Sequence, residues 1–223
     1  GEIKHYVNQA LETGKTYDCA IDWETRFRRM QNHSGEHIVS GLVHKKYGYN
    51  NVGFHMGSDV VTIDFDGELS WEQLLEIERE ANRAVAANYK VTATFPAEDV
   101  LKTLEYRSKL ELTENVRIVE IENTDICACC APHVSSTAEV GTVRILTAER
   151  RRRGGDGVRI TMLCGLDAFD HEVITDSNNA EISMLLSAKR TETAAAVRRL
   201  ISENEKLKAR AAELSRELAR IKA

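Results

Sequence analysis

The apolar positions of the chain repeat with two periods, which predict helices and strands in alternation. Residues 27–47 suit a helix that ends at Gly48, because glycine readily takes the left-handed conformation found at helix ends. Val61, Ile63 and Phe65 alternate with polar residues and therefore predict a strand. The strands expected from such patterns lie at about 60–65, 91–95, 116–121, 126–134, 140–148 and 157–164.

A second helix is predicted to follow Ser70, because Ser70 and Gln73 have the spacing of a capping box. The apolar residues after it, from Leu74 to Val85, then recur at helical spacing. Helices and strands therefore interleave around an antiparallel sheet. This order predicts an α+β fold, in which helices pack on the sheet, followed by a long C-terminal helix.

The C-terminal segment 166–223 contains neither glycine nor proline and is predicted to be helical. Within it the seam positions step by four and then three residues, which is a heptad pattern. These positions are Thr193, Val197, Leu200, Asn204, Leu207, Ala211, Leu214, Leu218 and Ile221. Asn204 is the one strongly polar seam residue past Thr193, and an Asn at such a position often fixes the register of a parallel dimer. The pattern predicts either a homodimer through residues 193–223 or pairing with another helix of a longer chain.

Three segments are predicted along the chain. Residues 1–24 resemble the last strands of an upstream domain, residues 25–165 form the main domain, and residues 166–223 form a helical linker and coiled coil. Because the chain starts with Gly1 and not with Met, we expect the natural protein to continue past both ends.

Charge and apolar composition restrict how the chain could interact with nucleic acids and membranes. The formal net charge is −5, which argues against indiscriminate nucleic-acid binding, so any RNA contact must use local basic patches. No run approaches the roughly 20 uncharged apolar residues that cross a membrane, and no secretory signal is visible. Three of the five cysteines fall within four residues beside a histidine. This clustering favours a reduced metal site, so we expect a cytoplasmic protein.

Two short segments predict that metal site. His33 and His37 are four residues apart and so share one face of a helix. Cys129 and His133 have the same spacing in a segment that Pro132 bends. Three imidazoles and one thiolate form a tetrahedral ligand set that suits Zn²⁺. A zinc ion that only closes the fold is the competing interpretation, and the nearby Cys127 is a substitute ligand.

Four segments carry a resemblance to a known family. They are RMQNHSGEH at 29–37, EIEREAN at 76–82, CCAPHVSSTAEVG at 129–141 and IDWETRFRRM at 21–30. Together they resemble the editing domain of alanyl-tRNA synthetase and the free-standing AlaX trans-editing proteins, over roughly residues 17–223. The resemblance implies that His33, His37, Cys129 and His133 are zinc ligands.

The chain departs from that family beside the predicted metal. Cys130-Ala131-Pro132 replaces the usual Gly-Gly-Thr, and Ala138 replaces a glycine. A proline before the histidine is more similar to the editing domain of threonyl-tRNA synthetase. These differences leave the amino-acid preference open.

The resemblance implies an enzyme that hydrolyses the ester linking serine or glycine to alanine tRNA, acting in trans. Zinc could generate a hydroxide or hold the substrate. Because four protein ligands fill a tetrahedral shell, we favour a zinc ion that positions the substrate or the water, and we assign no base. Glu36 is a candidate general base, although it lies about 100° around the helix from His37. His55, where the strand that lines the family's pocket begins, is a further catalytic candidate. Thr62, which faces opposite Val61 and Ile63 on its strand, is another.

Contacts with tRNA are predicted at Arg150, Arg151, Arg152 and Arg153, which occupy a glycine-rich hairpin tip. Arg28 and Arg29, beside the metal helix, could extend this surface, whereas the alternative is a solubilising charged loop. Two alternative functions stay open: a non-catalytic, zinc-stabilised RNA-binding or dimerisation module, and the editing part of a full alanyl- or threonyl-tRNA synthetase.

Overall fold

The computed structural model describes residues 4, 6–108, 115–151 and 156–222. Within them the chain has the predicted α+β fold, with five α-helices and seven strands. The helices are α1 (Trp23–Tyr47), α2 (Trp71–Ala86), α3 (Glu98–Leu101), α4 (Gly165–Leu185) and α5 (Thr193–Lys222). The strands are β1 (Asn51–Met56), β2 (Val61–Phe65), β3 (Val91–Thr94), β4 (Ile118–Ile121), β5 (Asp125–Ala128), β6 (Val143–Arg150) and β7 (Val158–Cys164), and a 3-10 helix spans Thr137–Val140.

The strands form two antiparallel sheets, in the orders β1-β2-β7-β6 and β3-β4-β5. Helix α1 contacts both sheets, as well as α2 and α4. Its middle is therefore surrounded by protein, and every residue from Gln31 to Gly41 is buried, polar residues included. The apolar core fills the space between α1, α2 and the four-stranded sheet. This arrangement puts the histidines of α1 in the protein interior.

Local sequence signals explain where the first helices begin and end. Helix α1 starts four residues earlier than predicted, because the Asp22 side chain accepts a hydrogen bond from the Thr25 amide and caps the helix. It ends, as predicted, at Gly48, whose φ of 74° is left-handed. At the start of α2, both hydrogen bonds of the predicted Ser70–Gln73 capping box are present.

The strand predicted over 126–134 is shorter in the structure, where β5 ends at Ala128. The prediction was too long because the apolar pattern continues through 129–134, while Pro132 cannot supply a backbone donor for strand pairing. Residues 129–136 instead return toward α1, where the Ser34 hydroxyl accepts a hydrogen bond from the Val134 amide. This turn brings His133 back to the helix that carries His33.

The predicted C-terminal helix consists of two helices, separated at residues 186–192, where Ser187 has a φ of 47°. Most apolar seam residues of α5 are exposed in this chain, so the coiled coil stays a prediction. No strand occurs in residues 4 and 6–22, and the proposed upstream-domain remnant is untested. No helix in the described part of the chain has the length and apolar content needed to cross a membrane.

Candidate metal centre and its cavity

The predicted metal centre is built where one face of α1 runs along β5 and the turn after it. His33, His37 and Gly41 follow each other at intervals of four residues on the helix, which rises about 6 Å over that distance. Cys129 and Asp125 lie at the end and start of the strand segment, and a strand rises about 6.7 Å every two residues. The two rows therefore stay in step: His33 lies beside Cys129, His37 beside Cys127 and Gly41 beside Asp125, whose carboxylate reaches His37.

Gly41 makes this close approach possible. A Cβ atom at Gly41 would lie 2.6 Å from the carbonyl oxygen of Thr124 and 2.7 Å from Cβ of Asp125. Both neighbours belong to the backbone or to its first side-chain atom, so they could not move aside without separating β5 from α1. A glycine one helical turn past His37 therefore lets the strand reach the metal-binding face.

The four predicted ligands come together in the structure. One ligand atom from each of His33, His37, Cys129 and His133 lies within 4.8 Å of the others. The Cys129 sulfur is 3.5 Å from Nε2 of His33 and 3.5 Å from Nε2 of His133. The group is buried or half-buried. Its spacing and chemistry are those of a set of side chains that could hold one metal ion.

Hydrogen bonds on the far side of each ring turn the Nε2 atoms toward the centre. Nδ1 of His33 is 3.1 Å from the carbonyl oxygen of Pro132, so this nitrogen is assigned as the donor. Nδ1 of His133 pairs with the Ser34 hydroxyl at 3.0 Å. For His37, Nδ1 likewise faces a carboxylate. Such partners fix the ring orientation and leave Nε2 available as a metal ligand.

The protein groups also set the charge of the cluster. Burial alone would raise the pKa of Cys129, but hydrogen bonds from the histidines lower this pKa to about 3. Burial, together with the charge on His37, lowers the pKa of His133 to about 4. Burial opposes a charge on His37, yet Glu36 and Asp125 raise its pKa to about 9. Cys129 and His133 thus have their metal-binding forms at pH 7, while a cation bound at His37 must displace one proton.

Behind the ligands lies a buried ion pair that the sequence did not reveal. Nε and Nη2 of Arg107 contact the two carboxylate oxygens of Asp125 at 2.7 and 2.8 Å. Burial would raise the pKa of Asp125, but the hydrogen bonds from His37 and Arg107 hold it below its ordinary value. Asp125 therefore stays a carboxylate that accepts a hydrogen bond from His37. Arg107 and Asp125 together orient this predicted ligand.

Cys127 belongs to a second group, with His37 and Asp125, whose ligand atoms are also within 4.8 Å of one another. Burial raises the pKa of the Cys127 thiol to about 12, and Arg107 already occupies both oxygens of Asp125. A neutral thiol is a poor metal ligand. These properties favour Cys129 over the substitute ligand Cys127.

A cavity of about 690 Å³ opens beside the cluster. Its described lining residues are His33, Glu36, His37, His44, Asn50, Asn51, Phe54, Tyr106, Arg107, Ser108, Asn115, Val116, Arg117, Cys127, Ala128, Cys129, Cys130 and Ala131. Its volume is in the range of small-ligand sites, and it combines aromatic rings with a few polar groups. Three of the four predicted metal ligands form part of its wall.

The three catalytic candidates occupy different places. Glu36 is buried and lines the cavity. His55 pairs with Thr62 across β1 and β2, while the neighbouring Phe54 stacks on the His33 ring. Successive strand residues face opposite sides, so His55 and Thr62 point away from the cluster. Neither lines the cavity, and a catalytic role for them has no support from their position.

The predicted tRNA-binding arginines also differ in their surroundings. Arg28 contacts three carboxylates, those of Glu24, Asp167 and Asp170, and so links α1 to α4. Arg29 is exposed on α1. Arg150 forms an exposed ion pair with Asp156, and Arg151 begins the turn of the β6–β7 hairpin. Arg152 and Arg153 lie outside the described residues.

Comparison with known proteins adds to this picture. Residues 116–161 match the family described as the second additional domain of threonyl and alanyl tRNA synthetases. The chain is 32% identical to an alanyl-tRNA editing protein, AlaX-M, of Saccharolobus solfataricus, over 73% of this chain and 71% of the relative. It is 30% identical to alanyl-tRNA editing protein AlaX-L of Pyrococcus horikoshii, over 79% of this chain and 43% of the relative.

The similarity extends to longer proteins. An alanine–tRNA ligase of Methanococcus maripaludis is 26% identical over 99% of this chain, which corresponds to 26% of the ligase. The chain thus spans less than half the length of the Pyrococcus protein and about a quarter of the ligase. The match to the family domain covers β4, β5 and the loop with Cys129 and His133. By its sequence similarity, the chain belongs to the family of AlaX-type alanyl-tRNA editing proteins.

Proposed function

We propose that His33, His37, Cys129 and His133 bind one Zn²⁺ ion. Three imidazole nitrogens and one thiolate are donors that zinc favours in tetrahedral sites. The short distances between the ligand atoms and the lowered pKa of Cys129 support this assignment. A bound zinc ion would supply Lewis-acid activation of a water molecule or of an ester carbonyl group.

We further propose that the protein hydrolyses the ester of mischarged aminoacyl-tRNA in trans, with Ser-tRNA(Ala) or Gly-tRNA(Ala) as the substrate. The observation that carries the proposal is the cavity, because the donor cluster forms one of its walls and leaves room for the end of an RNA chain. Relatives named as alanyl-tRNA editing proteins agree with this reaction. A separate hydrolytic site is useful because the pocket of a synthetase cannot reject, by shape alone, an amino acid that is almost the same shape as its own substrate.

Exposed surfaces suggest where the tRNA backbone and a second copy of the chain would bind. We propose that Arg29, Arg150 and the neighbouring arginines 151–153 contact the tRNA backbone, and the exposure of Arg29 and Arg150 supports this. A homodimer through residues 193–223 would cover the exposed apolar residues of α5. Neither contact is needed for the chemistry proposed at the cluster.

A panel of mischarged tRNAs tests the reaction. Zinc-loaded protein should release serine or glycine from alanine tRNA and spare correctly charged Ala-tRNA(Ala). Cys129→Ala should lose the activity, whereas Cys19→Ala, which changes an exposed thiol outside the cavity lining, should keep it. If the zinc-loaded protein cleaves none of the panel, the deacylase proposal is wrong.

Chelation separates this proposal from a zinc-stabilised binding module. A catalytic site should lose hydrolysis after chelation while the circular dichroism of the domain is largely retained. Unfolding of the domain on chelation, with no hydrolysis before it, would favour the non-catalytic module. Adding back zinc should restore turnover in the catalytic case.

A further inference from the structure

Glu36 is a buried residue of the cavity wall, and the protein holds one of its two carboxylate oxygens. Its Oε1 atom accepts hydrogen bonds from the Ser40 hydroxyl at 2.7 Å and from the Asn51 side-chain amide. Ser40 and Asn51 are themselves buried and contact each other at 3.1 Å. The other oxygen, Oε2, has no hydrogen bond among the described residues and is 3.9 Å from Nε2 of His37.

The charges around the cavity make this oxygen distinctive. Among the described lining residues, Glu36 is the only one with a carboxylate. The two lining arginines, Arg107 and Arg117, would repel a cation. Arg107 is already paired with Asp125, which lies behind the wall. Among the described lining residues, a cationic group that enters the cavity therefore finds one carboxylate, and this carboxylate lies beside the proposed metal site.

We propose that Oε2 of Glu36 binds the α-amino group of the aminoacyl ester, an inference that rests on the proposed deacylase function. The α-amino group is a hydrogen-bond donor and, when protonated, a cation, so it matches a buried carboxylate oxygen. In an aminoacyl ester the amino group and the ester carbonyl are attached to the same α-carbon. A carbonyl near His37 Nε2 thus brings the amino group within reach of Oε2.

This assignment gives Glu36 a role in substrate recognition. The donors Ser40 and Asn51 fix the carboxylate in one orientation, as is expected of a group that positions a ligand. The site would select amino-acid esters and discriminate against esters of hydroxy acids, which lack the cation. The general-base role considered for Glu36 makes no such distinction, because a base acts on water and not on the acyl group.

Binding of hydrolysis-resistant amides separates the two roles. The probes are the seryl amide of 3′-amino-3′-deoxyadenosine and the matching amide with a hydroxyl in place of the α-amino group. Isothermal titration calorimetry with the zinc-loaded full chain should show about 10- to 100-fold tighter binding of the amino compound. Glu36→Gln keeps the shape of the side chain and should reduce this preference to nearly one. Glu105→Gln, on an exposed side chain outside the cavity lining, should retain it.

The outcomes are distinct. A Glu36→Gln protein that keeps the preference but loses turnover would overturn the proposal and assign the base role. Equal binding of the two amides by the wild-type protein would overturn it even if the variant does not fold. Should the preference be present while no mischarged tRNA is hydrolysed, the amino-group site would stand and the deacylase function would fail. Hydrolysis of mischarged tRNA without any preference would reject only the role of Glu36.

Discussion

Replacing Asp125 by Asn would test how far metal binding depends on the residues behind the ligands. The Asp125 side chain is 1% exposed and accepts a hydrogen bond from Nδ1 of His37 at 3.0 Å. Asn has nearly the same shape but carries no charge and only one acceptor oxygen. It therefore cannot serve both His37 and the Arg107 guanidinium as Asp125 does. The variant should fold and bind zinc less tightly.

The expected loss follows from the contacts that change. Loss of a carboxylate that orients a histidine ligand typically weakens metal binding about 10- to 100-fold, which is about 1.4–2.7 kcal/mol. The free energy of unfolding of the protein without zinc should also fall by about 1–3 kcal/mol, because the half-buried Arg107 loses its charged partner. Both losses come from one carboxylate and should be seen together.

Competition with a chelating dye measures the zinc affinity, and urea unfolding measures the stability. Asp64→Asn is the matched control, because Asp64 forms the same two-pronged contact with Arg159, at 2.7 and 2.7 Å, on the outer side of the sheet. The control should leave zinc affinity unchanged. If Asp125→Asn bound zinc as tightly as the wild-type protein, the reasoning about the orientation of His37 would be refuted.

Five further predictions concern the ligands, the arginines, the C-terminal helix and pH. His37→Ala should abolish release of serine from Ser-tRNA, and undiminished turnover in a rapid-quench assay would refute the catalytic role of the cluster. Arg28→Ala should lower the free energy of unfolding by about 1–2 kcal/mol, because Asp167 and Asp170 lose their partner. In contrast, replacing Arg151, Arg152 and Arg153 by Ala should weaken tRNA binding and flatten its dependence on salt, and an unchanged salt slope would remove the hairpin from the interface. Asn204→Leu should stabilise the assembly and loosen its oligomeric state, whereas light scattering that shows a monomer at all concentrations would reject pairing through α5. Zinc affinity should rise about tenfold per pH unit from pH 7 to about 9, because the pKa of His37 is raised to about 9 and its proton competes with zinc more strongly at lower pH; a flat profile in dye competition would contradict this.

The elements that the sequence predicted well are those with a strong local signal. The capping box at Ser70, the alternating residues of β2 and the glycine at the end of α1 all act within a few residues. These elements do not depend on packing against distant parts of the chain, so a local sequence pattern is enough to predict them. The start of α1 was missed by four residues, although Asp22 and Thr25 carried a capping signal.

Parts of the site could not be predicted because they depend on contacts across the chain. Asp125 has a weak signal, since it lies four residues before Cys129 and alternation along a strand puts both on one face. Arg107 has none, because it comes from a separate segment that joins β5 through a parallel bridge at Cys127. The orientation of Glu36 likewise depends on Asn51, from a strand that the apolar pattern did not reveal.

His55 and Thr62, on the outer face of the sheet, show a different limit of prediction from sequence. His55 was a candidate because of the family resemblance and Thr62 as a pocket hydroxyl. Alternation along β1 and β2 puts both on the face opposite the cluster, neither lines the cavity, and their catalytic roles stay predictions. Val61 and Ile63 are core residues, so Thr62 between them has to face the other side. The alternation of side chains along a strand is thus a stronger guide to where a side chain points than the position of the residue in a family motif.

X-ray absorption at the zinc edge tests the central claim most directly, because it reports the ligands of the bound ion in solution. The zinc-loaded protein should show one sulfur at about 2.3 Å and three nitrogens at about 2.0–2.1 Å, and Cys129→Ala should remove the sulfur shell. Two sulfurs in the wild-type spectrum, or a shell of oxygens alone, would contradict the assignment of His33, His37, Cys129 and His133 as the metal ligands.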